Sequence, residues 1–371
     1  MKIGIITFHA SHNYGSMLQA YSLQTYLLQQ GHEVSIINFR SDRQKKMYRK
    51  PFRPYYLKHP RLMLKIMLNL KDFFQKMSKW YKFEHFLRKF LHTTIEFPTV
   101  ESLQKAKFDF DVIISGSDQI WNTKCYDFYE AYFIPFSKGT KKIAYAASMG
   151  PYPNVSEPWK YKYYIAEYSA ISLRESKSIP YIEKYSRVPI SDCVDPTLLV
   201  DKKYFIPLFK HSPIERGKYI LFYAPSLPHE TNDTYLLANE IGRITGMRVI
   251  VTQDLVKAKR LPSEFKYRKD VGPSEFLNLI NYAEFVCGYS FHMVVFSILM
   301  QKEFYTINAN NDTRTNNILD LLNIRDRNVT SHNIERFSRK TISYTGIEDK
   351  LSKVRYQSEL FLKNNLQNYE Q

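Results

Sequence analysis

The chain has 371 residues, 44% of them hydrophobic and 15% aromatic, with 53 Lys and Arg against 36 Asp and Glu. This content excludes a disordered chain, and the length suits two domains, because single cores stop growing at about 250–300 residues. Cys125, Cys193 and Cys287 lie far apart, with no CxxC and no histidine pair, so neither a disulfide framework nor a zinc site is expected. That cysteine usage fits a reducing, cytoplasmic compartment. No stretch approaches the roughly 20 apolar residues of a spanning helix, and the apolar run before His9 is too short for a secretory signal. The expectation is a protein that is soluble or lies on a membrane without crossing it.

The elements follow in chain order. KIGIITF (Lys2–Phe8) is a continuous apolar run suited to a strand buried on both faces. After the polar loop HASHNYGS, Leu18, Tyr21, Leu23, Leu27 and Leu28 recur near helical spacing up to Gly31, a C-cap signal. EVSIINF (Glu33–Phe39) is the next strand, so the first 40 residues predict a βαβ unit.

The positive charge is then concentrated in one segment: between Arg40 and Leu91 stand 16 Lys and Arg against three acids. There Met63, Ile66, Met67, Leu70, Phe73, Phe74, Met77, Trp80 and Tyr81 recur at three- and four-residue steps, with lysines between them. This predicts one long amphipathic helix with a cationic face. Attachment to anionic lipid and packing on its own domain with a solvated lysine face fit it equally well. Nucleic acid is not expected as a partner, since no recognised module accompanies the charge.

FDVIISG and KIAYAASMG read as strands ending in small residues, and Asp195–Pro196 marks a turn where one domain hands over to the next. From Lys218 the alternation restarts with YILFYAP, DTYLLANEIGRITGM, RVIVTQD, PSEFLNLINYA, EFVCGYS, the helix from Phe291, and EFYTIN. The fold class expected is α/β: two Rossmann-like, doubly wound domains facing each other across a cleft. The first would cover residues 1–200, with a basic helical insertion at about 41–100. The second would cover 201–345, followed by a C-terminal helix over 346–371.

Ligands in such sheets sit at the carboxyl ends of strands, which selects HASHNYGS, SGSDQIWN, ASMGP and GYSFH. His292 stands in the first turn of an otherwise apolar helix. There it is a general acid or base, a phosphate ligand, or a neutral histidine satisfied by a backbone carbonyl. Asn13, Gly15 and Ser16 offer an anion or sugar site, or a simple helix cap, and no GxGxxG is present. Ser117, Asp118, Gln119, Trp121 and Asn122 combine hydrogen-bonding groups with an aromatic platform, a composition suited to sugar hydroxyls and ring faces. Arg174 and Arg314 could each grip a carboxylate or phosphate, or form an ordinary ion pair. The sequence contains no evident metal cage.

Taken together, NYGSMLQAYSLQ, DVIISGSDQIWN, IAYAASMG, ISLRESKS, VDPTLLV, GPSEFLNLINYAEFVCGYSFHMVVFSIL and TRTNNILDLLNI resemble the polysaccharide pyruvyl transferase family, over most of residues 1–325. The resemblance implies the GT-B glycosyltransferase architecture, with a C-terminal helix returning to the first domain. It implies transfer of the pyruvyl group of phosphoenolpyruvate to two hydroxyls of a sugar, giving a cyclic ketal and phosphate, with no cofactor. Arg174 matches an arginine implicated in holding phosphoenolpyruvate, and His292 matches the end of the family's Arg-Leu-His motif. Ser290 and Phe291 stand at the motif's first two positions, so the chain resembles a Ser-Phe-His branch. Arg314, Lys257 or Arg260 would then supply the missing charge on the donor. Asn13, Gly15, Ser16, Ser117, Asp118, Gln119, Trp121 and Asn122 would hold the acceptor. The resemblance further implies a bacterial capsular or cell-wall saccharide on a polyprenyl diphosphate carrier, and gives the basic segment a reason to meet an anionic membrane. Two other readings remain open: a nucleotide-sugar glycosyltransferase, for which no acidic ribose clamp is visible, and a non-catalytic family member, which the loss of the motif arginine favours.

Overall fold

The apolar runs read as strands become parallel strands, and these sort into two sheets. The computed structural model describes residues 1–151, 158–225, 233–252, 264–307, 312–329 and 341–367. The first sheet is built from β1 (Lys2–Ile6), α1 (Tyr14–Gln29), β2 (Glu33–Phe39), α2 (Asp42–Met47), α3 (Pro60–Leu68), α4 (Leu70–Phe90) and β3 (Thr93–Phe97). It continues with α5 (Val100–Lys105), β4 (Val112–Ser115), β5 (Lys141–Ala147), α6 (Pro158–Ile165), β6 (Ala170–Leu173), α7 (Ile179–Ile182) and β7 (Ile190–Asp192). Its seven strands are ordered β3-β2-β1-β4-β5-β6-β7, all parallel.

The second sheet uses β8 (Tyr219–Tyr223), α8 (Asp233–Thr245), β9 (Arg248–Val251), β10 (Lys266–Tyr267), α9 (Pro273–Tyr282) and β11 (Phe285–Gly288). It is completed by α10 (Phe291–Leu299), β12 (Glu303–Ile307), α11 (Thr313–Leu322) and β13 (Asn328–Val329). The order is β10-β9-β8-β11-β12-β13, again parallel. Both sheets therefore change direction at the same point, between β1 and β4 in one and between β8 and β11 in the other.

Alternation along each strand splits its side chains between two layers. Ile3 and Ile5 of β1, Val112 and Ile114 of β4, and Tyr219, Leu221 and Tyr223 of β8 share one continuous cluster that joins the two sheets. Ile6, Ile113 and Ile37 face a second core on the far side of the first sheet, and Ile220 and Phe222 face a third behind the second. Helix α12 (Tyr344–Leu366) lies across both halves. Its Lys350 Nζ donates to Leu322 O, Arg355 Nε donates to Leu198 O at 2.7 Å, and Ser358 Oγ accepts from Val194 N at 3.0 Å.

The basic segment differs from its sequence reading in two respects. The single helix expected from Met63 to Tyr81 is two helices, parted at Asn69 (φ −130°, ψ 40°). Residues 93–97, expected within a helical insertion, form the edge strand β3, whose exposed side chains carry no apolar run. The last turns of α4 are committed inward, with Phe83, Phe86 and Leu87 in the shared core.

Candidate active site

In a doubly wound sheet the chain reversal opens a crevice at the carboxyl ends of the central strands, where ligands bind. In the first sheet that crevice is edged by residues 7–13, the start of α1, and residues 116–122 after β4. In the second it is edged by Ser290 and the start of α10.

Asn13 caps α1, its Oδ1 accepting from Gly15 N at 2.9 Å and from Ser16 N at 3.3 Å. Ser16 Oγ then donates to Asp118 Oδ2 at 2.5 Å, tying α1 to the loop after β4. Ser290 caps α10 through Met293 N, so its hydroxyl does a structural task. Two residues onward, His292 lies directly against Gly15: a Cβ on that glycine would stand 2.0 Å from His292 Nδ1. Only a residue without a Cβ permits the two helix starts to meet this closely. Gly15→Ala is expected to push the imidazole aside and lower turnover about 10²-fold, the cost of misplacing a reacting group by about 1 Å. Turnover measured beside a melting curve checks this, and normal turnover would show that His292 needs no such seat.

On its other side His292 Nε2 faces Asp195 Oδ2 at 3.5 Å. Asp195 is fully buried, and its Oδ1 accepts from Thr197 N at 3.0 Å and Thr197 Oγ1 at 2.7 Å. Its Oδ2 accepts from Arg174 Nη1 at 2.6 Å. Arg174 Nε donates to Glu175 Oε1 at 2.9 Å, which also accepts from Ser148 Oγ at 2.8 Å. The guanidinium lies 4.4 Å from the Phe291 ring centre, so Phe291 at the motif position covers the arginine by a cation–π contact. Burial pushes the Asp195 carboxyl up, but His292 and Arg174 outweigh it and hold it well below the usual carboxylate range. Burial pushes Glu175 up further than Arg174 and Ser148 pull it down. Asp195 thus stays an anion beside the imidazole. Arg174 Nη2 and Glu175 Oε2 are buried with no hydrogen-bond partner among the described residues.

Arg314 grips Asp312 with two bonds, Nε to Oδ1 at 2.9 Å and Nη2 to Oδ2 at 3.0 Å. Arg314, Arg174, Asp195 and Phe291 line one small cavity of about 60 Å³, closed by Val354 and Ser358 of α12. Both expected cations therefore converge, but each already has a carboxylate partner.

The other expected residues divide. Gln119 and Asn122 are half-buried at the rim, joined by Asn122 Nδ2 donating to Gln119 Oε1 at 3.0 Å and packed against Gly150. Ser117 is fully buried, its Oγ donating to Ala146 O, which fixes the loop and leaves no hydroxyl for a ligand. Trp121 is a correction. It is fully buried between Phe133 and Tyr168 in the core behind the first sheet, so its ring offers no face to a sugar. Lys257 and Arg260 lie outside the described residues. Asp195, which faces His292, and Glu175, which holds Arg174, are the site residues that sequence reasoning missed. The one local signal was the position of both just past strands that end beside the crevice.

Two parallel sheets of one topology, meeting at their switch points and spanned by a C-terminal helix, define a protein of the GT-B-like α/β class. Within that class, this chain belongs to the polysaccharide pyruvyl transferase family, which it matches over residues 13–311. Its fold is similar to that of UDP-GlcNAc 2-epimerase from Methanocaldococcus jannaschii, with TM-score 0.53 and 12% identity over 97% of this chain and 100% of that one. It is also similar to AviGT4, a glycosyltransferase involved in avilamycin A biosynthesis, with TM-score 0.51 and 11% identity over 99% of this chain and 97% of that one. At such identities these likenesses carry the fold alone. No curated protein matches the sequence. The expected fold class and family are both borne out.

Proposed function

We propose that this protein transfers the pyruvyl group of phosphoenolpyruvate to two hydroxyls of a saccharide, forming a cyclic ketal and releasing phosphate without a cofactor. The saccharide would be a unit of a bacterial capsular or cell-wall polysaccharide, carried on polyprenyl diphosphate and modified on the cytoplasmic side. The observation that carries this reading is the His292–Asp195 pair at the meeting of the two switch points in a chain of this family.

The chemistry needs one proton delivered and two removed. Protonation of the donor's methylene carbon leaves an oxocarbenium-like centre at the adjacent carbon. A sugar hydroxyl attacks that carbon and loses its proton, the carbon–oxygen bond to phosphate breaks, and the second hydroxyl closes the ring as its proton departs. His292 is the group to give and take these protons, with Nδ1, on the Gly15 side, as the exchanging atom because Nε2 faces Asp195. The Asp195 anion would stabilise the imidazolium when it forms. Arg174 Nη2, a buried donor without a partner, is the atom to meet the donor's carboxylate or phosphate, with Arg314 beside it. Asn13, Gln119 and Asn122, half-buried at the rim, supply hydrogen-bonding groups for acceptor hydroxyls, and the buried Ser16–Asp118 pair holds the two loops that carry them.

Calorimetry on the full chain with phosphoenolpyruvate and with a panel of nucleotide sugars tests the donor. Saturable binding of phosphoenolpyruvate is expected. Saturable binding of a nucleotide sugar alone would replace pyruvyl transfer with glycosyl transfer, and binding of neither would favour a non-catalytic member of the family.

A further inference from the structure

One exposed face of α4 changes character along its length. At 3.6 residues per turn, Leu70, Phe74, Tyr81, His85 and Arg88 fall within one side of the helix. The first half of that side is apolar: Leu70, Phe74 and Tyr81 are 47%, 62% and 46% exposed. Helix α3 adds Leu64, Met67 and Leu68, which are exposed as well. The second half is cationic: Lys82, Arg88 and Lys89, with His85 among them, line a groove of about 920 Å³ whose far wall carries Lys210 and Arg268. Lys82 and Arg268 are paired with acids, and Glu275 is the one carboxylate among the groove's lining residues. His85, Arg88, Lys89 and Lys210 are exposed and make no ion pair among the described residues.

The opposite side of α4 is already used, since Phe83, Phe86 and Leu87 fill the shared core. The exposed apolar side chains are therefore not the face by which α4 packs on the described core. Six large apolar side chains next to free cations are poorly served by water alone. Hydrocarbon would take the first group and lipid phosphates the second.

We propose that α3 and this face of α4 dock on a bilayer rich in anionic phospholipid. Leu64, Met67, Leu68, Leu70 and Phe74 enter the boundary between headgroups and acyl chains, while Arg88, Lys89 and Lys210 meet lipid phosphates. Charge complementarity selects this occupant. The two acids of α3 and α4 are both engaged, Asp72 with Lys76 and Lys269, and Glu84 with His12 and Arg40. The face thus carries a net positive charge, which repels a second copy of itself and attracts an acidic surface. Docking would also bring the catalytic crevice to the membrane, because Phe83 of α4 stacks on Tyr14, the neighbour of Gly15. The surface stands independently of which group the enzyme transfers.

Flotation of the full chain tests the proposal, using vesicles of phosphatidylcholine alone and vesicles containing phosphatidylglycerol, at low and high salt. Binding to the anionic vesicles is expected, weakening as salt rises. Arg88→Ala with Lys89→Ala should lower partitioning about thirtyfold, at about fivefold per basic residue. Leu68→Ser with Phe74→Ser should weaken binding at every salt concentration. All four side chains are exposed, and melting curves identify any variant that misfolds. Absence of binding to anionic vesicles, equal binding to neutral ones, or indifference to both pairs of substitutions would each overturn the proposal. Self-association that Leu68→Ser with Phe74→Ser abolishes, without vesicle binding, would instead assign the face to a second copy.

Discussion

Replacing His292 by alanine is expected to lower turnover about 10²–10⁴-fold, the contribution of a positioned general acid or base. The fold should survive. His292 Nε2 makes no hydrogen bond among the described residues, and Asp195 keeps Thr197 and Arg174 as partners after the imidazole is gone. The loss should fall on kcat, with phosphoenolpyruvate binding retained, because the donor's anions are assigned to the arginines. Asp195→Asn should move turnover in the same direction by removing the anion that faces the imidazole. It also removes the counter-ion of Arg174, so its melting temperature should drop where that of His292→Ala does not. Near-normal turnover in His292→Ala would take the imidazole out of the mechanism and leave it as a spacer between α1 and α10.

Much of this arrangement could be read from the sequence because parallel strands are buried on both faces. Runs such as KIGII, VIIS and YILFY are continuous and unmistakable, and the carboxyl ends of strands locate the crevice before any contact is known. The edge strand β3 escaped because it shows no such run: of TTIEF only Phe97 is buried, and Ile95 turns outward. Trp121 was misread for a different reason. Its composition neighbours suit a sugar, but spacing cannot say to which side of the loop an indole turns, and here it turns back into the core with Phe133 and Tyr168. The pairing of Asp195 with His292 joins the two halves of the chain, so no local pattern encodes it. His292 itself was locatable, since a histidine at the head of a wholly buried helix had to contact something. It contacts Gly15 and Asp195, one residue from each of two distant segments.

Arg174→Ala is expected to cost stability as well as activity, by about 3–5 kcal/mol, because it leaves buried carboxylates without their cation. Arg174 Nη1 holds Asp195 and Nε holds Glu175, and all three side chains are shielded from solvent. One planar guanidinium serves both, so Arg174→Lys, which can reach only one carboxylate well, should recover a part of the stability and little of the activity. Combining Arg174→Met with Glu175→Gln and Asp195→Asn removes the cation together with both charges. That triple variant should regain the part of the loss that unpaired buried charge causes while staying inactive, since no charge is then left without its partner. Denaturant unfolding and phosphoenolpyruvate calorimetry on the same set separate the two roles of the arginine. Loss of donor binding at wild-type stability would make Arg174 a ligand clamp that the carboxylates merely accompany. Loss of stability with donor binding intact would make it the rivet that fixes Asp195 against His292, and would pass the donor's charge to Arg314.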